Sequence, residues 1–151
     1  MLTNAQLMTV LAGGKLIQHV NNHHGQHVCN TIEGDTIRTN SIHHQMCYPW
    51  DLPTDEYIVL SWTEGISNTY LDGWDQEIKF PDIALTNEGK VIEPEIIWYP
   101  KKRWLGIQFH PEMMWFKSID ENYTLDYLNN VLNNVIDQPY YYHETHKQLI
   151  K

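Results

Sequence analysis

The run Trp104-Leu105-Gly106-Ile107-Gln108-Phe109 ends on His110-Pro111-Glu112, and it constrains the fold more than any other stretch of the chain. It is short, it follows the turn-like Tyr99-Pro100-Lys101-Lys102, and it cannot continue as a helix through Pro111, so it reads as a buried strand. His110 and Glu112 then leave its carboxyl end on one side of the chain. That arrangement suits base-and-orienter chemistry, in which an imidazole manages a nucleophile's proton while a carboxylate fixes its tautomer and stabilises its charged form. A strand-end histidine capped by a neighbouring carboxylate is the plainer reading of the same residues.

The neighbouring segments give this strand its support. Residues 95–99 pair with 105–109 as a hairpin across 100–103, and the β-branched and aromatic run 57–62, closed by Glu64-Gly65, is a further strand. Over residues 5–12, Leu7, Met8, Val10 and Leu11 recur at helical spacing, and Gly13-Gly14 follow as a stop, which predicts a short, mostly buried helix. From Tyr123 onward, Leu125, Leu128, Val131, Leu132, Val135 and Ile136 predict an amphipathic helix on the sheet. Residues 66–91 carry Gly73, Pro81 and Gly89 with little periodicity and read as an insertion or a mobile surface loop. The domain accordingly spans residues 1–138, and residues 139–151, with Tyr140-Tyr141-Tyr142 and mixed charge, read as a polar tail.

Composition excludes several function classes. With 42% hydrophobic and 19% charged residues, the chain has enough apolar content for one core. No window reads as a membrane span or a signal peptide, which makes a cytoplasmic protein the expectation. Ten Lys and Arg against 19 Asp and Glu give a formal charge of -9, so nucleic acid is not an expected partner, and Lys101-Lys102-Arg103 reads as a solvated turn. Cys29 and Cys47 have no paired-motif spacing and read as free thiols. His19, His23, His24 and His27 are spaced for metal binding only if they lie on a helix. Gly25 and Asn21-Asn22 oppose that helix, and no carboxylate or cysteine motif nearby completes a site, so the stretch reads as a polar loop and no metal is expected.

The motif Gly106-Ile107-Gln108-Phe109-His110-Pro111-Glu112 resembles the one that closes the active site in class I glutamine amidotransferases and their gamma-glutamyl hydrolase relatives. A second stretch, Asn40-Ser41-Ile42-His43-His44-Gln45, is similar to a segment that lies beside the substrate in the gamma-glutamyl hydrolase branch. The resemblance implies an α/β chain forming the carboxyl-terminal part of a three-layer, flavodoxin-like domain whose amino-terminal strands are missing. It implies His110 as base and Glu112 as its orienter, with Gln6, Ser41, His43 and His44 as substrate-side residues and no metal or organic cofactor. For Ser41, His43 and His44, a polar strand end with satisfied hydrogen bonds is the alternative.

The family's nucleophile lies in a Gly-x-Cys-x-Gly-x-Gln turn. Aligned on Gln6 and Gly13-Gly14, that pattern sets its cysteine on Leu2 and its second glycine on Asn4. Leucine offers no nucleophilic atom. Neither Cys29 nor Cys47 precedes a strand-to-helix elbow that would expose a thiolate. The expectation is therefore a polypeptide inactive by itself, a truncated product or half of a split enzyme. Its small-molecule partner is glutamine or a gamma-glutamyl compound. Its protein partner is a chain supplying the missing half or a second copy of itself, because an incomplete sheet exposes an edge and an apolar face. The rival expectation is a non-catalytic binding or regulatory module, with Trp98, Tyr99 and Trp104 as anchors if exposed, although at least two of these aromatics are expected in the core.

Overall fold

The structure, a computed structural model, describes residues 3–114 and 119–146. The expectation concerning Leu2 lies outside those residues, as does the end of the tail. Helix α1 (Asn4–Leu11) is set by a capping box: Thr3 Oγ1 accepts from the Gln6 N–H, and the Gln6 side chain accepts from the Thr3 N–H at 2.9 Å. Strand β1 (Lys15–Ile17) pairs with β5 (Met46–Tyr48), and β2 (His19–Val20) pairs with β7 (Tyr70–Leu71). The main sheet joins β4 (Thr36–Ile42), β3 (His24–Thr31), β6 (Ile58–Glu64), β8 (Ile92–Tyr99) and β9 (Trp104–Ile107) in that order. Every strand pair among the described residues is antiparallel. The chain is thus α/β with mostly antiparallel sheets and few helices, rather than the run of parallel strands that a flavodoxin-like sheet is built on.

The hairpin expected at residues 95–109 is present, with Tyr99 opposite Trp104 and Ile96 opposite Ile107. Strand β8 begins earlier than its sequence suggests, passing through Pro94, which lies beyond the last β9 partner. All eight residues of β8 are buried. Ile96 and Trp98 join one apolar cluster, and Ile97 and Tyr99 join another. The first cluster is covered by α2 (Ile119–Ile136) through Leu128, Val131 and Val135, with Leu125 partly buried, whereas Leu132 and Ile136 of the expected apolar face are exposed. Trp98 and Tyr99 are therefore core residues, which removes them as docking anchors.

The second cluster includes α1, but the helix presents an unexpected side. Its buried residues are Ala5, Gln6 and Thr9, while Leu7, Val10 and Leu11 are exposed. The reason lies at Gly106, where an added Cβ would meet the Ala5 Cα at 3.0 Å and its Cβ at 3.2 Å. Only small residues fit such an approach, so the bulky apolar side chains are turned away from the strand. Gly106→Val is expected to cost ~1–3 kcal/mol by overpacking this contact, read as a lower urea midpoint at unchanged slope. A midpoint equal to wild type would mean that α1 is not seated on β9.

Two further expectations are corrected. Residues 66–91 are anchored rather than loose, since β7 pairs with β2, and Tyr70, Ile78 and Phe80 pack against Ile17, Val20 and Met46. The stretch read as a polar tail enters the fold: α3 (Tyr141–His146) places Tyr142 in the core without exposure, and Trp98 Nε1 donates to the Pro139 carbonyl at 2.5 Å.

Candidate functional site

Strand β9 ends at Ile107, Gln108 and Phe109 are buried, and Pro111–Met113 form a single 3-10 turn. The turn brings Glu112 back beneath His110, whose Nδ1 lies 2.7 Å from Glu112 Oε1. The backbone at His110 is fixed from both sides by one amide. The Asn40 side chain donates to the His110 carbonyl at 2.9 Å and accepts from the His110 N–H at 2.8 Å. His110 keeps 30% of its side chain exposed, so the imidazole is accessible while its backbone is held.

The hydrogen bond from His110 is the main cause holding the Glu112 carboxyl below its ordinary range, and the bond from its own backbone adds to it. With a depressed folded-state value, the pairing contributes fully above the ordinary glutamate value near ~4.3 and is lost as pH falls through the folded-state value. Glu112 is 68% exposed, so solvent screens the effect on stability and the titration itself is the proper readout. The Glu112 carboxyl is expected to titrate below the ordinary value by carbon NMR. His110→Ala is expected to return it upward, and an unmoved midpoint would remove the pairing.

Two residues before His110, the fully buried Gln108 side chain joins its own strand to Thr3 and to the stretch 43–47. Its Oε1 accepts from Thr3 Oγ1 at 3.3 Å and from Cys47 Sγ at 3.2 Å, and its Nε2 donates to the Gln45 carbonyl at 3.0 Å and lies 3.1 Å from His43 Nδ1. Asn4 Oδ1 accepts from the Ile107 N–H at 3.1 Å. The amino end of α1 is thereby fastened beside the strand that carries His110.

The residues expected on the substrate side divide. Gln6 is buried and spends both ends of its amide internally, on the Thr3 N–H and the Gln45 carbonyl. Ser41 is buried and donates to the His23 carbonyl at 2.9 Å. His43 is buried with Nδ1 at 2.8 Å from the Gln45 carbonyl, whereas His44 is exposed and stacks on His19 with ring centres 6.1 Å apart. Gln6, His43 and Gln108 thus belong to one network, His110 and Glu112 to the accessible corner next to it, and His44 to the surface. Cys29 and Cys47 are free and buried, as thiols rather than a disulfide. Burial pushes the Cys47 thiol up to about 12 and raises Cys29 as well, which suits neither to nucleophilic attack.

Sequence reasoning missed a second constellation. The stretch read as a polar loop is partly strand, and it buries His23 and His27. His23 Nε2 lies 2.5 Å from Glu93 Oε2, and His43 Nε2 lies 3.7 Å from Glu95 Oε1, so carboxylates do meet these histidines, from β8 rather than from nearby sequence. Asn40 was also missed as a holder of His110, although it stands within a recognised motif. The available signal was the pair of glutamates flanking Pro94 in an otherwise apolar strand, an unusual composition for a fully buried one. No family model, curated protein or solved structure matches the chain.

Proposed function

We propose that the chain is a class I glutamine amidotransferase-like, gamma-glutamyl hydrolase-type domain that supplies the acid–base half of the reaction. The observation that carries this reading is His110 paired with Glu112 at 2.7 Å, on a backbone clamped by Asn40 and fastened through Gln108 to the amino end of α1. In the resembling family a cysteine precedes that helix. His110 takes the thiol proton, the thiolate attacks the gamma-glutamyl amide, the amine leaves with a proton from the imidazole, and water releases glutamate from the thioester. Glu112 holds the imidazole in the tautomer whose Nε2 is free to accept. The fold reading that goes with it is the carboxyl-terminal part of a flavodoxin-like domain, in which the parallel strands would come from the amino-terminal part and the described strands form the antiparallel remainder.

Leu2 stands where the cysteine belongs, so the chain is expected to be silent with glutamine and with a chromogenic gamma-glutamyl anilide. The test is hydrolysis of the anilide by Leu2→Cys and by a version carrying the family's strand and elbow upstream. Activity that disappears with His110→Ala supports the reading. A folded, extended chain without activity ends it.

A specific observation favours a second reading, that of a partner-binding module. Leu7, Val10 and Leu11 form an exposed apolar face on α1, and β9 is an edge strand. Such a surface fits either a protein supplying the missing half or a second copy. Sedimentation distinguishes them from a stable monomer: self-association at micromolar concentration that Leu7→Glu/Leu11→Glu abolishes supports docking through this face.

A further inference from the structure

We infer that His23, His43 and Glu95 form a structural site for a divalent transition-metal ion, with zinc the best match. The inference does not rest on the reaction proposed above. The three residues come from just before β3, the β4–β5 connection and β8, and one ligand atom from each lies within 4.8 Å of the others. All three are buried: Glu95 is 1% exposed, His23 1% and His43 7%.

What points to a ligand is the pattern of satisfied and unsatisfied atoms. Each histidine has one ring nitrogen engaged and the other left over. His23 Nε2 meets Glu93 at 2.5 Å, while His23 Nδ1 has no hydrogen-bond partner. His43 Nδ1 meets the Gln45 carbonyl at 2.8 Å, while His43 Nε2 has none. Both carboxylate oxygens of Glu95 are likewise buried without a hydrogen-bond partner. Buried carboxylates are found paired or bound to metal, and the 3.7 Å approach of His43 Nε2 to Glu95 Oε1 is too long for a hydrogen bond, which leaves room for an ion between them.

A metal ion satisfies this set at once. A histidine that donates one ring N–H to a carboxylate or a carbonyl and offers the opposite nitrogen is the usual outer-shell arrangement of a metal ligand, and Glu93 and the Gln45 carbonyl supply those outer partners. Two imidazoles with a carboxylate favour zinc or its neighbours over magnesium or calcium, which take oxygen donors. A tetrahedral ion held at ~2.0–2.1 Å draws its ligand atoms to about 3.4 Å apart, so the side chains close by on the order of an ångström. His27 stands beside this group of three donors, its ring edge-on to His23 at 5.2 Å and its Nε2 buried without a hydrogen-bond partner.

The register of the sheet explains how Glu95 enters the interior. Strands β6 and β8 slip between Ser61↔Ile96 and Trp62↔Pro94, and the irregularity falls on Glu95. Bulges of this kind re-aim single side chains and recur at functional sites. An ion here would pin the β3 and β4–β5 segments to β8, directly behind the His43–Gln108 contact.

The test uses the full chain purified without a polyhistidine tag, stripped with chelator and titrated with zinc and, separately, with cobalt. One equivalent of zinc is expected to bind and raise the thermal midpoint, and cobalt is expected to give the visible bands of a tetrahedral nitrogen–oxygen site. Glu95→Gln and His43→Gln are expected to abolish the stoichiometric binding, and Glu93→Gln to weaken it by ~10–100-fold. His19→Gln/His44→Gln, at the exposed stacked pair, is expected to leave it unchanged. A folded wild-type chain with no zinc-dependent rise in midpoint overturns the inference whatever the variants do. So does binding that survives Glu95→Gln and is lost with the His19/His44 variant.

Discussion

Glu93→Leu is expected to lower stability by ~3–5 kcal/mol, the cost of breaking a buried pair while leaving its partner behind. Glu93 is wholly buried, and its carboxylate does three things: it meets His23 Nε2 at 2.5 Å, it accepts from the Ile66 N–H at 2.5 Å, and it lies within 3.4 Å of the Ser67 N–H. Leucine removes both acceptor oxygens and offers nothing in return, so an imidazole and two amides lose their partner in the interior. Glu93→Gln retains an acceptor and is expected to cost less. Pairing Glu93→Leu with His23→Phe is expected to recover part of the loss, because two apolar groups leave no ring nitrogen stranded. Urea denaturation in the presence of chelator measures all three variants without any contribution from bound metal. Equal stability of Glu93→Leu and wild type would mean that this carboxylate is not the organiser of the 66–67 turn.

Tyr142→Ala is expected to cost ~3–5 kcal/mol, comparable to removing a large aromatic from any core. The ring lies in the cluster with Leu128, Val131 and Val135 from α2 and Trp98 from β8, and its hydroxyl accepts from Asn134 Nδ2 at 3.0 Å. Tyr142→Phe isolates the hydroxyl and is expected to cost only ~1 kcal/mol. Ending the chain after Gln138 also removes the Pro139 carbonyl that Trp98 Nε1 uses, so truncation is expected to destabilise at least as much as the alanine variant. A truncated chain as stable as the full one would restore the reading of residues 139–151 as a polar tail.

These two effects mark where sequence stops being informative. The His110–Glu112 corner was legible because its information is local: a strand, a proline and two side chains two positions apart. The β8–β9 hairpin and helix α2 were legible for the same reason, since pairing across a tight turn and a repeated apolar spacing both lie within a short window. The His23–Glu93 and His43–Glu95 contacts join positions 70 and 52 residues apart in the chain, and only the sheet register brings them together. The stretch around His23 and His27 also violates the expected binary pattern, because its inward positions are polar. Helix α1 fails differently. Counting apolar residues places Leu7, Val10 and Leu11 inward, but the close approach at Gly106 admits Ala5 instead, a steric fact that no periodicity contains.

Whether the His110 corner acts as the proposed acid–base half of a thiol acyl-transfer site beside α1 is read most directly by thiol labelling. A diazoketone analogue of glutamine alkylates a thiol that a neighbouring imidazole activates. Mass spectrometry of the Leu2→Cys chain treated with it is predicted to find a single adduct, at position 2, which His110→Ala suppresses while Cys47→Ser leaves it in place. An adduct at Cys29 or Cys47, or one at position 2 that forms equally fast without His110, would contradict the account.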